Sequence, residues 1–224
     1  MSAPTTQAER EGKEEPRIIR QFKANLEFTG GTAVKYDSSY LFAPGAHQAL
    51  AKGEEIGRRF HSAPVVRLSD AKQMQLGHAA EADARWRIYA FAGKADSSNA
   101  GSAIHRLAEW LETNPQSPVV KHTRPGEDID AVIDFRAVFQ QTFDQLDYGS
   151  MPALLKPRPG KLGLQDHEKV FCVDHKGVGD IYDMRGIDRD QGCMIIVRPD
   201  QYTAHVLPLD AYDELSAFFA GVLR

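Results

Sequence analysis

The chain has 224 residues, 42% hydrophobic and 26% charged, with 27 Lys and Arg against 31 Asp and Glu and a formal net charge of −4. That balance excludes a mostly disordered protein, which would be poorer in apolar residues and further from neutrality. It also excludes a general polyanion binder, because no basic cluster offsets the acidic excess.

Residues 1–16 carry Glu9, Arg10, Glu11, Lys13, Glu14 and Glu15 with no Ile, Val, Leu or aromatic side chain. Such a segment cannot repay the entropy of ordering and reads as a mobile tail, not as the apolar centre of a secretory signal. Residues 17–62 form a second segment. Ile18, Ile19, Phe22 and Leu26 recur at helical spacing, and Gly30-Gly31 stops the helix. Beyond it Tyr36, Tyr40, Leu41 and Phe42 lie among Gly, Pro and Ser. So many large apolar groups in an irregular segment predict an extended interface that drapes over another surface.

From Ala63 the pattern is regular. Pro64–Leu68 and Gln73–Leu76 predict two short strands around the turn Ser69–Lys72. Arg85–Ala92 turns apolar as a central strand would. Ile104, Leu107, Ala108 and Leu111 form a helical stripe, with Ser102 as N-cap and Asn114-Pro115 as its end. Ala131–Phe139 has the composition of a strand, Pro152–Pro157 is a short bounded element, and Lys156–Gly163 is a Pro/Gly/Lys loop. Lys169–Val173 predicts a strand, Val178–Met184 at most a short helix, and Cys193–Val197 a buried strand. Arg198–Gln201 is a turn with Pro at its second position, from which Tyr202–Val206 returns antiparallel. Asp210 and Asp213 predict a capping box for a last helix with its stripe at Leu215, Phe218, Phe219, Val222 and Leu223. Strand, helix, strand, short helix, strand, hairpin strand, helix is the thioredoxin-like α/β plan, a mixed central sheet flanked by helices. It assigns 63–224 to one domain.

The chemistry such a fold could carry is testable in the residues. A thioredoxin places Cys-x-x-Cys at the start of the helix after its central strand, where helix and neighbouring thiol lower the pKa. That place is Gly93–Ser102, which has no cysteine. Cys172 and Cys193, inside predicted strands, read as small buried apolar residues and, in a reducing cytoplasm, as free thiols. The histidines at 47, 61, 78, 105, 122, 167, 175 and 205 show no metal-ligand spacing. His167, Cys172 and His175 are near in sequence without a regular element to align them, and His61 and His78 read as structural polar contacts. Gly-x-Ser-x-Gly does not occur, so Ser97, Ser98 and Ser102 are turn and cap residues. The string Gly177–Tyr182 puts Tyr182 where a dinucleotide fingerprint needs its third glycine. The charged block Asp180, Asp183, Arg185, Asp188, Arg189 and Asp190 reads as solvated local ion pairs, with a docking edge for a second subunit as the alternative. No catalytic, cofactor-binding or metal-ligating residue is therefore assigned. A thiol redox module and a binder of small aromatics stay open as alternative roles.

Six blocks carry a resemblance: Arg59–Val65, Leu76–His78, Ala82–Tyr89, Lys169–Cys172, Arg185–Arg189 and Val197–Val206. In this order they resemble the C-terminal part of the FAD-dependent phenol hydroxylases (phenol 2-monooxygenase) and the related 3-hydroxybenzoate 4-hydroxylases. The resemblance runs from about Arg17 to the end. It implies a thioredoxin-like accessory domain that pairs subunits and covers the enzyme, with 17–62 as the exit from a substrate domain. It implies FAD and NADPH for the parent reaction, ring hydroxylation of a phenol or hydroxybenzoate, with none of these bound by this chain. The flavin machinery of that family has no counterpart here, so the expectation is a fragment or a stand-alone homologue with an assembly role. The expected partners are a second copy or a flavin monooxygenase domain, with no nucleic acid and no membrane.

Overall fold

A computed structural model describes residues 16–174 and 179–223. The expected tail at 1–15, His175 and the Gly177-Val178 half of the glycine string lie outside the described residues. The chain divides into two units, 1–35 and 36–224.

The first unit contributes helix α1, Arg17–Thr29. Pro16 stands at its N-cap, where a missing N–H costs nothing. Gly31, with φ +67°, ends it in a left-handed turn whose N–H donates to the Phe28 carbonyl. The helix follows the sequence expectation, and its apolar stripe is exposed: Ile18 81%, Phe22 62%, Leu26 54%.

The second unit is built on one seven-stranded mixed sheet. Its strands are β1 Pro64–Arg67, β2 Lys72–Gln75, β3 Trp86–Phe91, β4 Ile133–Phe139, β5 Val170–Val173, β6 Cys193–Val197 and β7 Thr203–Leu207, in the order β2-β1-β5-β4-β3-β6-β7. The middle three are parallel; both outer pairs run antiparallel. Helix α2, Ala103–Thr113, crosses from β3 to β4, α4, Ile181–Arg185, precedes β6, and α5, Tyr212–Val222, follows β7. The unit from β3 to α5 with the order β4-β3-β6-β7 is the thioredoxin-like fold. To it are added β5 and the β1–β2 hairpin.

Cross-strand partners share a face, so the register sorts the core. Trp86, Ile88, Phe135, Cys172 and Ile196 point to one side. There Phe219 of α5 meets Trp86 edge-on and Tyr212 stacks on Trp110 of α2. Arg87, Tyr89, Phe91, Arg136, Cys193 and Ile195 point to the other. Among the described residues of this unit, no long helix covers this second side. It is closed by α4, whose Tyr182 meets Phe91, and by the segment 36–62, whose Phe60 stacks on Tyr89 at 4.5 Å.

That segment differs from its sequence reading. Phe42, Ala51, Ile56 and Phe60 are buried in the chain's own core. Its backbone runs along β7: Ala43 donates to Ala204, Gly57 to Thr203 and Phe60 to Gln201. The irregular Gly/Pro backbone is what lets it follow a twisted sheet edge while its aromatics turn inward. Another difference is at α5. Its N-cap is Ala211 with no side-chain cap, not Asp210, because the Asp210 carbonyl, rather than its carboxylate, takes the Tyr212 N–H. Within 116–168 the structure adds α3, Pro118–His122, capped by the Ser117 hydroxyl from Val119 and Val120.

Candidate functional site

The two cysteines sit on opposite faces of the sheet. Cys172 of β5 and Cys193 of β6 have β4 and β3 between them, about 14 Å at three strand spacings. A disulfide needs Cα atoms within about 7 Å. Burial pushes the Cys172 thiol up to about 12 and raises Cys193 further, so neither offers a thiolate nucleophile near neutral pH. The place of a thioredoxin dithiol holds Asp96 instead. Its carboxylate accepts the Ala103 N–H at 2.6 Å, and Ser102 caps α2 through the His105 N–H. Both are capping contacts.

The histidines are dispersed. His47 pairs with Glu214 at 3.0 Å, His105 bridges Ser102 and the Ser150 carbonyl, His167 lies against Tyr148, and His205 packs on Phe218. His61 and His78 are exposed. Among the described residues, no three His, Cys, Asp or Glu side chains are grouped to hold a metal ion. The charged block resolves into separate tasks. Asp180 caps α4 through the Tyr182 and Asp183 N–H groups, and Arg189 reaches Asp180 and Asp183 at 2.7 Å. Arg185 does not belong to the surface at all. It is buried, paired with Glu54 and laid over the Phe60 ring at 4.0 Å. Burial lowers its pKa to about 9. It fastens the 36–62 segment to α4.

The structure also assembles a buried ionic cluster that the sequence reading did not find. Lys169, at the start of β5, donates to Asp130 at 2.7 Å and Asp134 at 2.6 Å. Arg136 donates to Asp134 at 2.8 Å, Arg87 to Asp83 at 2.9 Å, and Arg85 to both Asp83 and Asp130. Lys169 and Asp134 have no exposed side-chain surface. Burial alone would raise the Asp134 pKa, but Arg136 and Lys169 hold the carboxyl well below the usual range. One signal was present in the sequence: charges at 85, 87, 134 and 136 interrupt otherwise apolar strands, and alternate along them, so they share a face. The cluster joins β3, β4, β5 and the turn at 130. Its fully buried members offer no atom to a substrate, and their ion pairs tie these strands to one another.

What remains available to a partner is apolar and exposed. On the first unit it is the stripe of α1. On the second the most exposed are Leu162, 84% exposed, and Leu164, 70% exposed, both in the loop 157–166, together with Tyr40, 72% exposed, and more modestly Met184, Tyr36 and Phe143.

The comparisons with known proteins bear on these surfaces. The chain is 46% identical over 224 residues to a 3-hydroxybenzoate 4-monooxygenase of Comamonas testosteroni, covering all of this chain and 35% of that protein. It is 34% identical over 201 residues to the FAD-dependent monooxygenase terD of Aspergillus terreus, covering 88% of this chain and 33% of that one. The chain thus spans about a third of the length of these relatives. Among solved structures, ScoI of Arabidopsis thaliana, with copper bound, is 10% identical with a TM-score of 0.36 over 72% of this chain and 96% of that one. The fold assignment rests on the strand order, not on that likeness. The family model described as "Phenol hydroxylase, C-terminal dimerisation domain" matches residues 34–224. With the whole second unit inside that match, the chain belongs to the family of phenol hydroxylase C-terminal dimerisation domains.

Proposed function

We propose that this chain is the subunit-pairing module of an FAD-dependent aromatic monooxygenase. FAD, NADPH and the phenolic or hydroxybenzoate substrate are then handled by polypeptide outside it. The observation that carries this reading is the dimerisation-domain match over 34–224. The two buried, widely separated thiols favour it over a redox module. The module works by holding two copies in a fixed relation. The buried cluster around Lys169 and the clamp Glu54–Arg185–Phe60 make the sheet a stiff platform for that contact.

Helix α1 has a separate place in this reading. It lies before the matched range yet within the 224 residues aligned with the Comamonas relative. Its exposed stripe of Ile18, Phe22 and Leu26 is then the seat for the remaining two-thirds of such an enzyme. Sedimentation equilibrium on the purified chain tests the pairing role. A dimer at micromolar concentration is the expected result, and a monomer throughout would overturn it.

A further inference from the structure

The loop 157–166 is well ordered by its own hydrogen bonds. Asp166 donates its N–H to the Pro157 carbonyl at 2.8 Å, closing the loop, and Arg158 donates to the Gly163 carbonyl across it. Gly160 donates its N–H to Asp128 at 3.0 Å, tying the loop to the turn at 126–131. Within this frame Leu162 and Leu164 face solvent. Two leucines held out on a pre-organised loop lose little entropy on being covered. Next to them lies an open groove of about 460 Å³, lined by Gly126, Glu127, Asp128, Ala131, Gly160 and Lys161. Knob and groove meet at Gly160 and Lys161, so one patch carries both a projection and a recess. The recess also offers a cation, Lys161, and a carboxylate, Glu127.

Resting on the subunit-pairing reading, we propose that this patch is the contact between two copies of the chain, with the leucines of each seated in the groove of the other. A surface that holds its own complement is what a two-fold contact requires. The loop and the groove both lie inside the residues matched to the dimerisation domain, whereas α1 lies outside them. A stable contact covers about 800 Å² per partner. The leucines are its centre, where binding energy concentrates, and the surrounding polar residues are its rim.

Sedimentation equilibrium on the full chain tests this with two independent variants. Leu162→Asp/Leu164→Asp removes the projection, and Ala131→Arg, at an exposed position, fills the recess. Each is expected to raise the dimer dissociation constant at least about 30-fold, with circular dichroism and melting temperature retained. If natively folded variants dimerise as the wild type does, the loop contact is overturned while subunit pairing stands. If Phe22→Asp dissociates the dimer and the loop variants do not, the contact lies on α1 and the proposal fails. A wild-type chain that stays monomeric overturns both this contact and the pairing role.

Discussion

Asp134 takes charged hydrogen bonds from Arg136 and Lys169 and reaches no solvent. Removing its charge leaves cations buried without their counter-ion. Asp134→Asn is therefore expected to cost about 3–5 kcal/mol, read as a lower urea midpoint at unchanged slope. Because the Asp134 pKa lies lower in the folded than in the unfolded chain, its stabilisation is complete above about pH 4 and is lost as the pH falls below that value. His205 adds a second pH range. Burial lowers its pKa to about 4, against about 6.5 in an unfolded chain. The unfolded state then binds the extra proton first, so stability declines as pH drops from about 6.5 toward 4. Replacing His205 by Gln should flatten urea midpoints across that interval; an unchanged slope would refute the assignment. The thiols give the simplest measurement. Both should resist a chromogenic disulfide reagent in the native protein and react fully in denaturant.

At the scale of elements, the short and irregular pieces each have one contact whose loss should be felt most. Helix α3 is five residues long and depends on Ser117, whose hydroxyl caps it and also donates to the Leu111 carbonyl at 2.6 Å. Ser117→Ala is expected to cost about 1–2 kcal/mol, measured by thermal melting. In the 36–62 segment Phe60 packs between Tyr89 and Arg185, and Phe60→Ala should cost about 3–5 kcal/mol. The sequence announced elements where periodicity and capping agreed, as in α1 from Ile18 to Gly30 and in α2 from Ser102 to Asn114. It was less clear where one residue type serves two ends. Ser117-Pro118 is a helix start in plain view, yet five residues give too little periodicity to notice. Asp210 and Asp213 have capping spacing, but the backbone turn at Pro208 uses the carbonyl first. The aromatics of 36–62 predict an interface for another surface, whereas Phe42 and Phe60 pack into this chain's own core. Nothing local could reveal that, since Glu54 of the segment meets Thr203 of β7 from 149 positions away.

At the scale of the whole molecule, the division at residue 35 predicts that limited proteolysis near Gly30-Gly31 releases a product from about residue 32 onward that keeps the melting temperature of the intact chain. The family was legible as six ordered blocks of residues, and the thioredoxin-like plan as an order of strands and helices. The buried cluster and the knob-and-groove patch were not, because each is built from positions 30 or more residues apart that only folding brings together. The run 43–60 along β7 has a consequence for any assembly. Its Ala43 and Gly57 amides already take the Ala204 and Thr203 carbonyls, and the Thr203 amide goes to the Arg58 carbonyl, so a second polypeptide finds the first half of that strand already paired. Copies that meet over that half of the strand associate through side chains. Their union would therefore leave the amide-I infrared band and the slow-exchanging protons of the outermost strand as they are in the lone chain.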